Sequence, residues 1–298
     1  MIKMSSLSEQ LLFTTVRIEA EDSHGNLQWG TGFLFSFALE GDLRLPVMVT
    51  NRHVVRGYGK GRFSIHESAD TDTGQAPSDS SHMIQIDGFE SKWIGHPNPD
   101  VDLCGMPFQP LVANAQREGR TLYTRYFDAT NVLSDEKAAD LTAAEDILMI
   151  GYPNALWDEQ NNLPLLRRGI TSSHPGLDFC GRPEFVIDCA CFPGSSGSPV
   201  VLFNNGSYVS KSGNITLGGG RFALLGVLYA GPHMTAEGNI VIGTPIQTGT
   251  TPVSRTNLMI NLGYVIKARE ILALGEHMKD LLKDHLIKDE HGAAPANG

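Results

Sequence analysis

Short runs of alternating apolar and polar residues dominate the chain up to about residue 266 and predict β-strands. Gly, Pro, Asn, Asp and Ser separate these runs, and such residues typically bound strands. A more polar stretch at 111–145 divides the runs into two groups, which predicts a crossover between two β-subdomains. The predicted strands are 11–20, 28–37, 45–50, 83–89 and 101–106 in the first group, and 147–149, 165–172, 184–191, 199–203, 222–230 and 264–266 in the second.

The period changes near the end of the chain. From 267 to 288 apolar residues recur at helical spacing, which predicts an amphipathic helix packed on the second subdomain. The tail at 289–298 is predicted to be disordered. Three segments are predicted loops: the polar run 70–81 and the longer stretches 204–220 and 232–257.

The stretch FPGSSGSP at 192–199 is the first candidate for chemistry. A serine between glycines at a strand end is typical of an activated nucleophile, because glycine allows unusual torsions and lets backbone amides approach a ligand. Ser196 is therefore the candidate nucleophile, and the N–H groups of Gly194 and Ser196 are candidates for an oxyanion hole. By itself the stretch could equally be an ordinary glycine–serine turn.

A serine hydroxyl reacts only if a base takes its proton and a third group orients that base. His53 follows the apolar run at 47–49, and the segment DVD at 100–102 places carboxylates against another apolar run. The order His, Asp, Ser with wide spacing suits a triad assembled across two subdomains.

Four ordered segments together resemble the chymotrypsin-like serine peptidases, in particular the bacterial branch with the HtrA/DegP proteases and the glutamyl endopeptidases. The similarity runs from about residue 30 to 268. It implies an all-β fold of two six-stranded antiparallel β-barrels, here followed by a C-terminal α-helix. A single peptidase domain would then comprise a first barrel at 8–110, the crossover at 111–145, a second barrel at 146–266 and the helix. The segments are GTGFLF at 30–35, VTNRHVV at 49–55, DILMIGYP at 146–153 with RGITS at 168–172, and IDCACFPGSSGSP at 187–199.

The resemblance implies peptide-bond hydrolysis through His53, Asp102 and Ser196 and an acyl-enzyme intermediate. In the family the catalytic aspartate precedes an apolar and then a small residue, a pattern that Asp102 matches. Asp100 in that role would place a second carboxylate at the small buried position, which is costly. Asp100 is therefore expected to be a solvent-exposed neighbour.

The same resemblance implies a substrate pocket. Its floor offers no carboxylate for Arg or Lys, and only His233 could help to bind glutamate, so cleavage after small or medium apolar residues (Ala, Val, Leu or Thr) is expected. The wall should also pair with the substrate backbone as an added strand. The floor residues would be Cys189, Ala190 and Cys191, and the wall residues Tyr229, Ala230 and Gly231.

One departure from the family concerns activation. Pancreatic-type members carry, before the nucleophile, an aspartate that pairs with the amino terminus created by zymogen cleavage, whereas this chain has Ser195. The resemblance therefore implies an enzyme that folds active or is switched in another way.

Composition and charge exclude some classes of binding partner. The net charge of −10 argues against nucleic acid, and even the pair Arg167-Arg168 is interpreted as part of a solvated loop. No apolar segment of about 18 residues or signal core is visible, so neither a membrane partner nor secretion is expected, and a bacterial cytoplasmic location is predicted. The four cysteines are interpreted as free, mostly buried thiols, and no metal or cofactor is expected. The oligomeric state stays open.

Two other functions compete with peptide hydrolysis. A protease-fold binding module without activity would usually lack the histidine or the serine, and both are present here. An α/β-hydrolase esterase would place its histidine last in the chain. A protein or peptide substrate is therefore the favoured partner.

Overall fold

The computed structural model describes residues 6–70, 76–239 and 253–291, and strands predominate in these ranges. The strands are β1 (Thr15–Glu21), β2 (Leu27–Ala38), β3 (Arg44–Thr50), β4 (Lys60–Ser68), β5 (Pro77–Asp87), β6 (Ile94–Gly95), β7 (Cys104–Pro107), β8 (Phe127–Asp128), β9 (Asp146–Gly151), β10 (Leu165–Thr171), β11 (Glu184–Asp188), β12 (Pro199–Asn204), β13 (Ser207–Val209), β14 (Ile215–Leu217), β15 (Arg221–Ala230), β16 (His233–Asn239), β17 (Val253–Met259) and β18 (Leu262–Lys267). The helices are α1 (Leu7–Leu11), α2 (Arg52–Val55), α3 (Gln109–Arg117), α4 (Asp135–Ala139) and α5 (Arg269–His291).

The first half is a sheet of eight strands in the order β5-β4-β1-β2-β3-β7-β6, with β8 paired in parallel to β2. Alternate residues of each strand point into one core, because successive side chains lie on opposite faces. In β4, for example, Gly61, Phe63 and Ile65 are buried between more exposed neighbours. Strand β4 was not predicted, and β5 begins inside the predicted loop 70–81.

The second half closes into a six-stranded antiparallel barrel in the order β10-β11-β18-β15-β12-β9. Its interior is filled by a compact apolar cluster that includes Met149, Phe185, Val200 and Val265. The predicted all-β architecture of two β-subdomains with a C-terminal helix is confirmed.

Several connections differ from the prediction. The predicted crossover contains two helices, α3 and the short α4. The predicted loops 204–220 and 232–257 contain the hairpins β13–β14 and β16–β17. The tip of the second hairpin and most of the predicted disordered tail lie outside the described residues.

Helix α5 packs against the first half as well as against the second barrel, on which it was predicted to lie. A Cβ built on Gly275 would lie 2.2 Å from Cε1 of Phe37 in β2, so helix and strand are in close contact. A Cβ on Gly105 of β7 would lie 2.7 Å from the sulfur of Met278. The buried face of α5 thus joins an apolar cluster shared by both halves. Among the helices of the described ranges, none combines the length and apolar composition that a bilayer crossing requires.

Candidate active site

His53 and Asp102 meet at the edge of the first half. Strand β3 ends at Thr50, and the short helix α2 that follows carries His53. Its Nδ1 atom lies 2.5 Å from Oδ2 of Asp102, and its backbone N–H donates to Oδ1 of the same carboxylate at 3.1 Å. The carboxylate therefore fixes both the ring and the main chain of the histidine. Asp100 is exposed, and its backbone N–H donates to the side chain of Asn98.

Neighbouring polar groups tie the segment of Asp102 to the turn of His53. The Nη2 atom of Arg52 donates to the carbonyl oxygens of Pro99 and Val101 at 2.6 and 3.0 Å. The side-chain amide of Asn51 donates to the carbonyl oxygen of Asp102 at 2.9 Å. These hydrogen bonds from Asn51 and Arg52 therefore help to fix the distance between His53 and Asp102.

The same segment also contacts the C-terminal helix. The backbone N–H of His96 donates to the carbonyl oxygen of Leu103 at 2.9 Å, next to Asp102. The Nε2 atom of His96 lies 3.5 Å from Oε2 of Glu270, at the start of α5. Helix α5 therefore supports the segment that presents the carboxylate.

The candidate nucleophile lies in the loop between β11 and β12, pressed against the first half. Gly197 has φ +87°, and a Cβ there would lie 1.9 Å from the carbonyl oxygen of Thr31 and 2.5 Å from Oγ1 of Thr50. Only glycine fits this position, both by torsion and by space. Because Thr50 ends the strand that leads to His53, this contact brings Ser196 to the edge where the imidazole lies.

The hydroxyl of Ser196 is partly buried and donates to the carbonyl oxygen of Tyr229 at 3.4 Å. Within the described ranges it makes no hydrogen bond with His53. In the structure His53 therefore contacts its predicted carboxylate, whereas the hydroxyl of Ser196 donates to a backbone carbonyl instead of to His53.

The backbone around Gly194, the candidate oxyanion-hole residue, is held in one orientation by its neighbours. Gly194 has φ +85°, and a Cβ there would lie 2.6 Å from the carbonyl oxygen of Tyr152. The carbonyl of Pro193 accepts from the N–H of Asn154 at 2.6 Å. Since C=O and N–H point in opposite directions across a trans peptide, the N–H of Gly194 points away from Asn154. In the part of the chain that the structure describes, neither this N–H nor that of Ser196 donates to another protein group, so both are free for a ligand.

The predicted pocket floor is only partly exposed. Cys189 and Cys191 belong to the core of the second barrel, and burial raises the pKa of both thiols, that of Cys191 to about 12. Ala190 between them is partly exposed. Of the three predicted floor residues, Ala190 is the one that is not buried. Cys104 is buried as well, and Cys180 is exposed.

The predicted wall ends strand β15. Tyr229, Ala230 and Gly231 are partly buried, and β15 pairs with β18 as far as Ala230 and Tyr264. On its other edge, the last backbone–backbone bonds join Leu228 to the nucleophile loop, and beyond them the described residues offer only the bond from the Ser196 hydroxyl to the carbonyl of Tyr229. Burial and a hydrogen bond with Glu184 raise the pKa of the Tyr229 hydroxyl, which lies away from that edge.

Arg167 contradicts its prediction as a solvated loop residue. It lies in β10, where it is partly buried, whereas its neighbour Arg168 is exposed. Its Nη1 atom donates to the carbonyl oxygen of Ala190, and its Nη2 atom donates to Oγ of Ser195 at 2.7 Å. The signal that was missed is strand alternation: Arg167 shares a face with Gly169 and the buried Thr171.

Comparison with known proteins gives a family match and several solved structures of low similarity. The Rv3671c protease from M. tuberculosis in its active form is similar to the chain at 15% identity over 90% of this chain and 81% of that one, with a TM-score of 0.38. Its inactive form gives 15% identity, 90% and 89% coverage and a TM-score of 0.43. Deg5 is similar at 18% identity over 76% of this chain and 88% of that one, with a TM-score of 0.42. No curated protein sequence matches significantly. A family model described as a trypsin-like peptidase domain matches residues 30–209, more than half of the sequence. The chain belongs to the trypsin-like peptidase family.

Proposed function

We propose that the protein is a serine endopeptidase that cleaves peptide bonds with Ser196 as nucleophile, His53 as base and Asp102 as orienting carboxylate. The observation that supports this proposal most directly is the double contact of the Asp102 carboxylate with His53, through Nδ1 at 2.5 Å and the backbone N–H at 3.1 Å. A proton held on Nδ1 leaves Nε2 as an acceptor, which is what a general base requires.

In the proposed reaction, Oγ of Ser196 attacks the substrate carbonyl carbon and Nε2 of His53 takes its proton. The carbonyl oxygen becomes an oxyanion that accepts from the N–H groups of Gly194 and Ser196. Collapse breaks the C–N bond, His53 protonates the leaving amine, and an acyl-enzyme remains. Water then attacks the ester carbon with His53 again as base, the bond to Oγ of Ser196 breaks, and His53 returns the proton to Oγ as the carboxylic acid product leaves. The bond from Ser196 to the carbonyl of Tyr229 is long at 3.4 Å, and such contacts rearrange readily when substrate binds.

We propose that the substrate binds in extended form along residues 229–231 and is cleaved after a small or medium apolar residue. The edge beyond Leu228 offers backbone groups for an added strand. The floor presents Ala190, which is small and neutral. In such a pocket each additional buried methylene changes discrimination by about 1–3 kcal/mol.

Labelling with a fluorophosphonate probe tests the activity directly. The wild-type protein should label, and Ser196→Ala should neither label nor cleave peptides, because it lacks the attacking oxygen. Ser198→Ala is the matched control, since Ser198 is buried and bonds to Thr31 rather than facing the cleft. Absence of labelling in the wild type would instead favour a binding module without activity.

Cleavage of a peptide library tests the proposed specificity. Products should end in Ala, Val, Leu or Thr. Dominant cleavage after Glu or Asp would show that the charge of Arg167 reaches the pocket, and cleavage after Arg or Lys would show that a carboxylate outside the floor sets specificity.

A further inference from the structure

Arg167 reaches both ends of the loop that carries the candidate oxyanion hole. Its Nη1 atom donates to the carbonyl oxygen of Ala190, before the loop turns. Its Nη2 atom donates at 2.7 Å to Oγ of Ser195, the residue directly before the candidate nucleophile. The backbone N–H of Phe192 also donates to this oxygen, at 3.4 Å. One guanidinium thus links the start and the end of the segment 190–195.

We propose that Arg167 is a positioning residue that holds the loop 190–196 in the arrangement needed for catalysis. The proposal rests on the proposed peptidase function, because the loop matters for catalysis only if Ser196 is the nucleophile.

The fold explains why a side chain must hold this loop. The ladder between β10 and β11 ends at the pair Ile170 and Asp188, so the carbonyl of Ala190 lies beyond the last pair. Arginine suits the position because its planar guanidinium presents several donors in a fixed geometry. Ser195 is fully buried, so water does not replace the guanidinium at its hydroxyl.

The surroundings of Arg167 do not favour a role in stability. Its Nε atom is buried without a hydrogen-bond partner, and no carboxylate forms an ion pair with it among the described residues. Burial lowers its pKa, and the nearest titratable groups are the thiols of Cys189 and Cys191. Burying a charge without a counter-ion destabilises a fold. The buried charge of Arg167 is therefore better explained by a role in holding the loop through its bonds to Ala190 and Ser195.

The two bonds act on the peptide that forms the oxyanion hole. From the side of the first half, Oγ1 of Thr31 donates to the carbonyl of Gly194 at 3.0 Å, and Asn154 holds the carbonyl of Pro193. Arg167 holds the same loop from the barrel interior. Without it, the carbonyl of Ala190 loses this donor and Ser195 keeps only the long bond from Phe192, so the loop is held from the first half alone and the peptide between Pro193 and Gly194 is less firmly oriented.

The variant Arg167→Met tests this proposal, with Arg168→Met as the matched control. Arg168 lies on the same strand, is exposed, and pairs with Asp146 on the surface. We expect kcat for Arg167→Met to fall about 100-fold or more, as when an oxyanion donor is removed, and inhibition by a peptide boronate to weaken in parallel. KM should stay close to that of the wild type, and Tm should be equal or higher. Arg167→Lys should be intermediate, because one ammonium cannot hold both acceptors in the same geometry.

Hydrogen–deuterium exchange gives a readout that does not depend on activity. In Arg167→Met the amides of peptides covering 190–196 should exchange faster than in the wild type. In Arg168→Met their exchange rates should equal those of the wild type. Wild-type kcat together with unchanged exchange would overturn the proposal, and so would a loss of activity that only follows a lowered Tm. If the wild type itself neither labels nor cleaves, the proposed peptidase function fails, while the exchange data still decide whether Arg167 holds the loop.

Discussion

Asp102→Asn is the sharpest test of the proposed triad, because the substitution keeps the shape of the side chain and changes only its hydrogen-bonding pattern. In the structure one carboxylate oxygen accepts from the backbone N–H of His53 at 3.1 Å, and the other lies 2.5 Å from Nδ1. An asparagine must keep its only oxygen on the backbone N–H. Its NH2 group then faces Nδ1, which has to present a lone pair, and the imidazole proton moves to Nε2.

A histidine protonated on Nε2 cannot accept the proton of Ser196. In the template serine peptidase this change lowers kcat about 10⁴-fold, which corresponds to about 5.5 kcal/mol of transition-state free energy. Rotating the amide does not restore the base, because its NH2 group would then face the backbone N–H of His53. That orientation sets two donors against each other and takes from this N–H the acceptor that it has in the structure.

The assay is kcat/KM for a peptide substrate near pH 7, together with the rate of fluorophosphonate labelling and a Tm to verify folding. Asp100→Asn is the control and should retain nearly normal kcat/KM, since Asp100 is exposed and does not contact His53. An Asp102→Asn enzyme within about tenfold of wild type would refute this assignment of the carboxylate. A crippled Asp100→Asn enzyme would transfer the role to Asp100.

Two further predictions concern stability. Gly275→Ala would stabilise an exposed helix by about 1 kcal/mol, but its Cβ would lie 2.2 Å from Phe37, so overpacking of about 1–3 kcal/mol should lower the free energy of unfolding in urea. Phe37→Leu in the same background should recover part of the loss, whereas a stabilised Gly275→Ala protein would contradict the packing of α5 on β2. His66 is partly buried, and this burial lowers its pKa from 6.5. Below pH 6.5 the unfolded chain therefore binds a proton that the folded protein refuses, and stability should fall by up to about 1.4 kcal/mol per pH unit until the lowered pKa is reached. The free energy of unfolding, measured by denaturation at pH 7 and pH 5.5, should fall less in His66→Phe than in the wild type. An equal fall in both proteins would exclude His66 as the source of this pH dependence.

Local sequence was sufficient for much of the fold and of the site. His53 and Ser196 stand in short segments whose residue types reflect local needs, such as the glycine at 197 that no other residue can replace. The strands of the second barrel were predicted because their apolar runs are bounded by turn residues. The preference for Asp102 over Asp100 rested on the buried, small residue that follows it, and Cys104 is indeed buried there.

Long-range packing was not readable in the same way. Strand β4 was missed because its alternation rests on only two apolar side chains, Phe63 and Ile65, and the inward residue before them is a glycine. The apolar residues at helical spacing in α5 predicted which face of the helix is buried. They did not predict what covers that face, because Phe37 lies in a strand far away in sequence. Arg167 was assigned to solvent because an arginine pair usually lies there, and its acceptors at 190 and 195 become its neighbours only when the barrel closes.

The position of α5 has a consequence for how the protein is made. The ribosome produces His53, Asp102 and Ser196 before the helix that packs on Phe37 and reaches His96 through Glu270. Chains emerge and fold from the amino-terminal side, so a nascent chain holds every reactive group before the segment of Asp102 has its support. In the proposed peptidase, the segment of Asp102 therefore gains this support only once α5 has been made and has docked.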